Sequence, residues 1–431
     1  MRSKQLAMET TMTSRPDVLV IGAGAIGVNC AYWLARAGQE VTLLDGGHVG
    51  GGCSHGNAGL VTPCHSLPIP GPGLIGQSLK WMLRNDSPLY IQPRLSPNLW
   101  AWLWRFARHC NDPAQRRGLE AMAALNRHVV PLTGELIARH GFDCQYQARG
   151  LHYVFATSKG LDKGLRELQL LQSHGIEGER LDRDGMLARE PDLRDDVAGG
   201  IFYPGEADLV PDLFVKQVGE VLPELGVKLL EQTAVEGFEV SGGLVRRVKT
   251  SAGSLSPGTI VLAAGAWSTS LARRLGIRLA LQAGKGYSVT CGSQTGMPRL
   301  PLSYSEAKMG ITPWRDTVRL AGTMELAGMP RAGRPLKRNR SRVDAIVRAA
   351  RYLLPGFEVG EIQETWAGLR PLTPDGLPLI GRTGRISNLV VATGHAMLGV
   401  TQAVVTGRLV ADLVVGNEPE VPLESFSPDR F

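Results

Sequence analysis

Gly22-Ala23-Gly24-Ala25-Ile26-Gly27 is the first stretch of this 431-residue chain whose residue types and spacing suggest chemistry. Gly22 permits a tight turn, Gly24 lets the main chain approach a pyrophosphate, and Gly27 lets a helix pack closely on a strand. Ala25 and Ile26 open that helix, whose free N–H groups and positive dipole end suit phosphate oxygens. Asp45 follows at the distance where a carboxylate accepts from ribose hydroxyls, with Gly46 continuing the turn. Its charge disfavours a 2′-phosphate, and so NADP. A strand before, a helix after and the acid in place make a chance glycine turn a poor explanation. The motif alone does not choose between FAD and NAD.

Five further side chains have types suited to a reacting site. Arg370 lies in Gly-Leu-Arg-Pro, just after an apolar segment containing Trp366. A guanidinium grips a carboxylate through two parallel hydrogen bonds, or else it braces its own turn or an acid such as Asp375. His395 lies between Gly394 and Gly399, ahead of a helix expected over 401–414. It either donates toward charge gathering at that helix start or is a satisfied structural histidine. Tyr287 and Tyr304 lie on expected strands, and each either offers a hydroxyl to the same carboxylate or fills core. His55 belongs to a second glycine-rich loop (residues 50–59, GGGCSHGNAG), too polar for core, and there it points at a cofactor. No catalytic triad or carboxylate dyad stands out. The six cysteines show no CxxC spacing, so neither a metal site nor a redox dithiol is expected.

The elements that must position these residues read as alternating strands and helices. Residues 17–22 (DVLVIG) and 40–44 (EVTLL) form strands around the first helix, and 388–393 (NLVVAT) precedes the last one. Helices are expected within 100–140, and strands over 150–156, 281–290 and 318–322. With 43% apolar and 20% charged residues the composition is that of an ordinary globular protein, long enough for two domains. A formal net charge of +7 comes mostly from dispersed residues. The dense run 331–342 (RAGRPLKRNRSR) lacks the interleaved aromatics of a nucleic-acid platform and reads as a solvated loop, so no nucleic-acid partner is expected. No apolar run reaches the length of a membrane span. The polar first fifteen residues lack a secretory pattern, so a cytoplasmic location is expected. Residues 99–108 (LWAWLWRFAR) suit either the headgroup zone of a membrane or a buried helix.

Several segments, in order, carry a family likeness. Asn57-Ala58-Gly59 is followed by Pro63 and by Pro68-Ile69-Pro70-Gly71-Pro72-Gly73. Residues 260–268 (IVLAAGAWS), 285–288 (KGYS), 368–381 (GLRPLTPDGLPLIG) and 393–401 (TGHAMLGVT) complete the set. In these segments the chain resembles the FAD-dependent D-amino-acid oxidase superfamily and, within it, the D-amino-acid dehydrogenase small-subunit family. That resemblance implies FAD, bound noncovalently, since no cysteine follows Cys291 for a C-terminal tether. It also admits His55 as an attachment point. The implied fold class is α/β: a discontinuous glutathione-reductase-like FAD-binding Rossmann domain plus an α+β substrate domain with a mixed antiparallel sheet. We expect the FAD-binding domain over 14–83, 197–275 and 361–431, and the substrate-binding domain over 84–196 and 276–360.

Cofactor contacts are expected from the first motif with Asp45 and Gly46, and from Ser54, Asn57, Ala58 and Gly59 in the second loop. Val235, Ala264, Gly265 and Trp267 approach from the middle of the chain. Arg370, Gly394, His395, Leu398, Gly399 and Thr401 approach from its end. The resemblance implies oxidation of a small D-amino acid to the imino or oxo acid by hydride transfer from Cα to flavin N5, with Arg370 holding the α-carboxylate. Cyclic substrates such as D-proline or hydroxy-D-proline fit the aromatic, glycine-rich segments. The expected acceptor is a quinone or the respiratory chain, with contact peripheral to the inner membrane. The alternatives are a secondary-amine oxidase for sarcosine, glycine or proline, an NAD-dependent dehydrogenase, and a flavin-binding subunit without activity.

Overall fold

Val18–Ile21 is apolar and buried at every residue, as a strand covered on both faces must be. In the computed structural model, which describes residues 16–76, 89–92, 94–292, 295–326, 328–329 and 336–431, this strand lies inside a six-stranded sheet. The polar leader 1–15 and residues 331–335 of the basic run lie outside the described residues. Val18–Ile21 pairs in parallel with Val41–Leu44 on one side and Thr259–Leu262 on the other. Lys228–Leu230 and Leu389–Thr393 extend the sheet in parallel, and antiparallel Leu379–Arg382 closes one edge.

The first helix, Ala25–Arg36, packs on this sheet against the closing helix, Ala403–Val415. The two backbones cross closely because residue 407 is glycine: a Cβ there would lie 2.5 Å from the Asn29 carbonyl oxygen. The closing helix begins two residues later than the sequence suggests and stops at Gly416, whose φ of +83° ends it in a left-handed cap.

A nine-stranded, mainly antiparallel sheet stands opposite. Its order is Ile362–Leu372, Gln282–Gly292, Thr317–Leu326, Met309–Pro313, Leu302–Tyr304, Leu151–Phe155, Gly199–Tyr203 and Glu179–Leu181, with Leu89–Ile91 beside Thr317–Leu326. One face carries a core under the helix Arg340–Leu353, including Val289, Leu320 and Ile346. The other face turns to a large cavity.

This is the mixed α/β architecture the sequence suggests, with two differences in detail. Gly199–Tyr203 and Ile362–Leu372 fall within the segments expected to form the cofactor domain, yet both pair in the larger sheet. Ile362–Leu372 runs alongside its neighbour from Gln282↔Leu372 to Cys291↔Ile362. Membership is decided by this long-range pairing, which local sequence does not display.

Candidate active site

The cavity between the two sheets measures about 1880 Å³, well above the roughly 300–1,000 Å³ of ordinary ligand pockets. At one end lies the first glycine turn. Gly22 has φ +108°, and a Cβ on it would lie 2.7 Å from the Ala263 carbonyl oxygen. A Cβ on Gly27 would lie 1.7 Å from the Gly22 carbonyl oxygen, so only glycine fits where helix meets turn. The helix start has no acidic residue in its first turn, and its N-cap residue, Gly24, has no side chain to compete with an anion. Asp45 lies on the cavity wall, and its carboxylate accepts from the Ala23 and Gly47 N–H groups, each at 2.7 Å.

The second glycine loop forms the next wall and is fastened from three directions. The Ser54 hydroxyl accepts from the Ala25 N–H at 3.0 Å. The Asn57 side chain accepts from the Gly59 N–H and donates to the Met397 carbonyl at 3.0 Å. From the larger sheet, Arg319 donates to the His55 and Asn57 carbonyls (3.1 and 3.2 Å), and the Thr312 hydroxyl donates to the Ala58 carbonyl at 2.7 Å.

Gly24, Ala25, Ile26 and Gly46 line the cavity beside this loop, and Val235, Ala264, Gly265 and Trp267 line it from the middle of the chain. His395, Leu398, Gly399 and Thr401 line it from the end of the chain. Gly27, Gly59 and Gly394 do not line it. Their part is backbone geometry: Gly59 and Gly394 have φ +77° and +83°, and a Cβ on Gly59 would lie 2.2 Å from the Leu209 carbonyl oxygen. An open helix start, glycines that cannot carry a side chain and room beyond an ordinary pocket together fit an extended dinucleotide with space left for a small substrate.

Arg370 lies on the strand Ile362–Leu372 and lines the same cavity. Its Nη1 donates to the Thr323 carbonyl at 3.1 Å. Burial lowers its pKa to about 10, with only the Cys53 thiol opposing, so it stays a cation at neutral pH. Cys53 accepts from the Leu369 N–H at 3.1 Å and is itself pushed up to about 11 by burial, so it is a neutral thiol. Asp375, the acid Arg370 was expected to brace if it had no ligand, is held instead by Arg430 through two contacts of 2.7 and 2.9 Å.

Two local features make room for the guanidinium. A Cβ on Gly286 would lie 2.4 Å from Arg370 Cζ, so the Lys-Gly-Tyr-Ser segment needs its glycine. Thr323 has φ +52°, a strained position for a β-branched residue, beside a bulge opposite Gly286 and Tyr287.

The other four candidates fare differently. His395 lines the cavity, with Nε2 3.0 Å from the Thr406 hydroxyl of the closing helix. Burial lowers it to about 3, so the ring is neutral and offers no positive charge. Tyr287 is not at the cavity. Side chains alternate along a strand, so Gly286 faces Arg370 while Tyr287 turns to the opposite face, 1% exposed among the core under Arg340–Leu353. Tyr304 contributes to the wall, but its ring stacks on Tyr352 at 6.5 Å and 14°, on the helix side. His55 is turned out of the cavity to Glu364 at 2.7 Å, because its loop is held by its carbonyls.

Arg319, Thr323 and Gly286 are the contributors that sequence reasoning missed. Only Gly286 carried a signal, since a glycine inside a strand marks close backbone approach. Within 99–108 the tryptophan helix is buried at one tryptophan and exposed at two others. Trp102 is buried and donates to the Leu372 carbonyl at 3.1 Å, while Trp100 and Trp104 are 62% and 60% exposed.

Residues 17–413 match the family described as DAO, FAD dependent oxidoreductase. The chain is 35% identical to a D-amino acid dehydrogenase of Methylobacterium radiotolerans, over 96% of this chain and 99% of that one. It is 35% identical to a D-amino acid dehydrogenase of Paramagnetospirillum magneticum, over 96% and 98%. Its fold is similar to that of L-proline dehydrogenase from P. horikoshii, with a TM-score of 0.77 and 19% identity over 97% of this chain and 98% of that one. Glycine oxidase from Geobacillus kaustophilus gives 0.75 and 24% over 97% and 100%. The likeness read from the glycine loops and the C-terminal segments is borne out, and the NAD-dependent alternative falls with it. Because the match runs from the first strand through the Arg370 strand into the closing helix, this chain belongs to the DAO family of FAD-dependent oxidoreductases.

Proposed function

We propose that this enzyme is a D-amino acid dehydrogenase in which Arg370 binds the substrate α-carboxylate. The observation that carries the reading is the state of that guanidinium. It is a half-buried cation on the cavity wall, its pKa lowered by desolvation, and among the described residues it has a carbonyl for a partner and no carboxylate within ion-pairing distance. A desolvated charge without a counter-charge is costly, and a carboxylate ligand in the planar, two-bond geometry relieves that cost. Two full-length relatives bearing the name D-amino acid dehydrogenase support the D configuration.

FAD, when bound, supplies a two-electron acceptor for the C–H bond of the amine carbon. The chain's own residues then have the tasks of holding and excluding. The two glycine loops with Asp45 and Ser54 would hold the dinucleotide, and the Gly394–Thr401 loop would meet its ring end. Gly286 and Thr323 fix the guanidinium, and a substrate whose amino group is neutral needs no further base from the protein. We assign FAD to the part built on the parallel sheet and the substrate to the face of the larger sheet. D-Proline and hydroxy-D-proline are the first cyclic compounds to test, and a quinone is the proposed acceptor. The exposed Trp100 and Trp104, with the Arg108 guanidinium 4.7 Å from the Trp104 ring, support contact with a membrane surface.

The test is anaerobic mixing of the FAD-loaded enzyme with a panel of D- and L-amino acids, sarcosine and glycine. D-Amino acids should bleach the visible flavin band, and a quinone analogue should restore it faster than oxygen does. Bleaching by sarcosine or glycine alone would establish the secondary-amine alternative.

A further inference from the structure

The same cavity is also lined by His65, Tyr153, Ser303 and Lys308, with Lys163 and Glu167 from the helix Ser158–Gln172. Nothing assigned above uses these side chains. Lys308 sits in the turn between two strands of the larger sheet with φ +52°, a left-handed position few lysines adopt. It is exposed and lines the cavity, and desolvation lowers its pKa, as expected for a side chain that presents its surface to a recess in the protein.

Both acids near Lys308 are engaged elsewhere. Glu167 pairs with Lys163 at 3.5 Å, and Glu306 accepts from the Ala156 and Thr157 N–H groups and the Thr157 hydroxyl. Among the described residues no carboxylate lies within ion-pairing distance of Lys308. His65 stands beside it, with its ring edge-on to Tyr153 at 5.8 Å and Nδ1 2.8 Å from the Thr62 hydroxyl. Burial, aided by the charge of Lys308, lowers His65 to about 4 and leaves it neutral. In the tautomer whose Nδ1 accepts from the Thr62 hydroxyl, Nε2 carries a proton to donate.

The Arg370 guanidinium, which lies over Gly286, and Lys308 flank the strand Thr317–Leu326, although the Arg370 main chain is one strand further out. Arg370 reaches the Thr323 carbonyl, and the neighbouring Gly322 abuts the Lys308 turn, where a Cβ on Gly322 would lie 3.0 Å from Met309 Cβ and 3.6 Å from the Lys308 carbonyl oxygen. Two strand spacings separate such positions, about 10 Å. That is the scale of a small amino acid gripped at both ends.

We infer that Lys308, with His65, forms a second recognition point that takes an acceptor oxygen on the side chain of the substrate. This rests on the D-amino acid reading above and narrows its substrate class. A side-chain carboxylate gains most, because the hydrogen bond is charge-assisted, and a ring hydroxyl such as that of hydroxy-D-proline is the neutral version of the same contact.

The experiment compares kcat/KM of the FAD-loaded enzyme within two pairs, D-glutamate against D-norvaline and hydroxy-D-proline against D-proline, with a dye acceptor. Wild type should favour the oxygen-bearing member of at least one pair about tenfold or more, and Lys308→Gln should reduce that ratio about tenfold. The pair affected identifies the oxygen as carboxylate or hydroxyl. Lys308→Arg should retain the preference, which separates loss of a donor from general damage. If Lys308→Gln leaves both ratios as they are in wild type, or wild type prefers the apolar member of both pairs, the inference is overturned. A failure of the underlying reading looks different, since no member of either pair would then reduce the flavin. Should Lys308→Gln lose FAD, His65→Gln provides the second variant, with the same change in ratio expected.

Discussion

At the scale of single residues, the site depends on one charge kept without a counter-ion and one ring kept without a charge. Arg370 is cationic, half-buried and bonded to a carbonyl, and its motif made it the best candidate in the sequence. Tyr287 and Tyr304 had equally suitable chemistry but point to the helix side of their sheet, and no residue type announces which face it will occupy. His395 carries a testable consequence of its burial. Above about pH 6.5 it is neutral both folded and unfolded. Below that, the unfolded chain takes up a proton that the folded ring refuses until about pH 3. Stability therefore falls as pH drops through this window, by about 1.4 kcal/mol per pH unit. His65 contributes with the same sign down to about 4. In urea melts at pH 7 and pH 5, His395→Asn should shrink the difference in unfolding free energy by about 2 kcal/mol; an unchanged difference would mean that the ring is not buried neutral.

At the scale of elements, the two glycine loops were readable because phosphate binding and tight packing demand glycine at fixed spacing. What holds the second loop was not readable. Arg319 reaches it from a strand more than 250 residues away, and its partners within the loop are carbonyls, which leave no mark on sequence. Arg319→Met should therefore loosen the loop and weaken FAD binding about tenfold or more, measured as flavin retained through dialysis or by titration of apoprotein. Retention equal to wild type would show that Ser54, Asn57 and Thr312 hold the loop without it. Gly286→Ala tests the neighbouring strand. The added methyl meets the far end of a flexible side chain, so the sheet should form and the protein should remain yellow. The displaced guanidinium should raise KM for D-amino acids about tenfold or more, and an unchanged KM would mean that the guanidinium has room to spare.

At the scale of the whole molecule, the mixed α/β architecture was legible from alternating strand and helix patterns, while the membership of Gly199–Tyr203 and Ile362–Leu372 in the larger sheet was not. The tryptophan helix Pro97–His109 shows why a sequence of this kind stays ambiguous. Trp102 faces inward to the Leu372 carbonyl, Trp100 is exposed at the cavity, and Trp104 is exposed away from it. Among the described residues no helix is long and apolar enough to cross a membrane, so any contact made by this face is peripheral. Replacing Trp104, which does not line the cavity, with serine should reduce sedimentation with anionic vesicles several-fold, and should leave dye-linked turnover with a soluble acceptor intact. Equal sedimentation of variant and wild type would remove this helix from the proposal.

The central claim is that one uncompensated guanidinium receives the carboxylate of the substrate beside FAD. It is tested most directly by titrating FAD-loaded wild type and Arg370→Lys with a nonreacting carboxylate, such as benzoate, and following the shift of the flavin band. Loss of the two-bond grip predicts a Kd at least about tenfold weaker in the variant, with FAD still bound. Equal affinity in the two proteins would contradict the account.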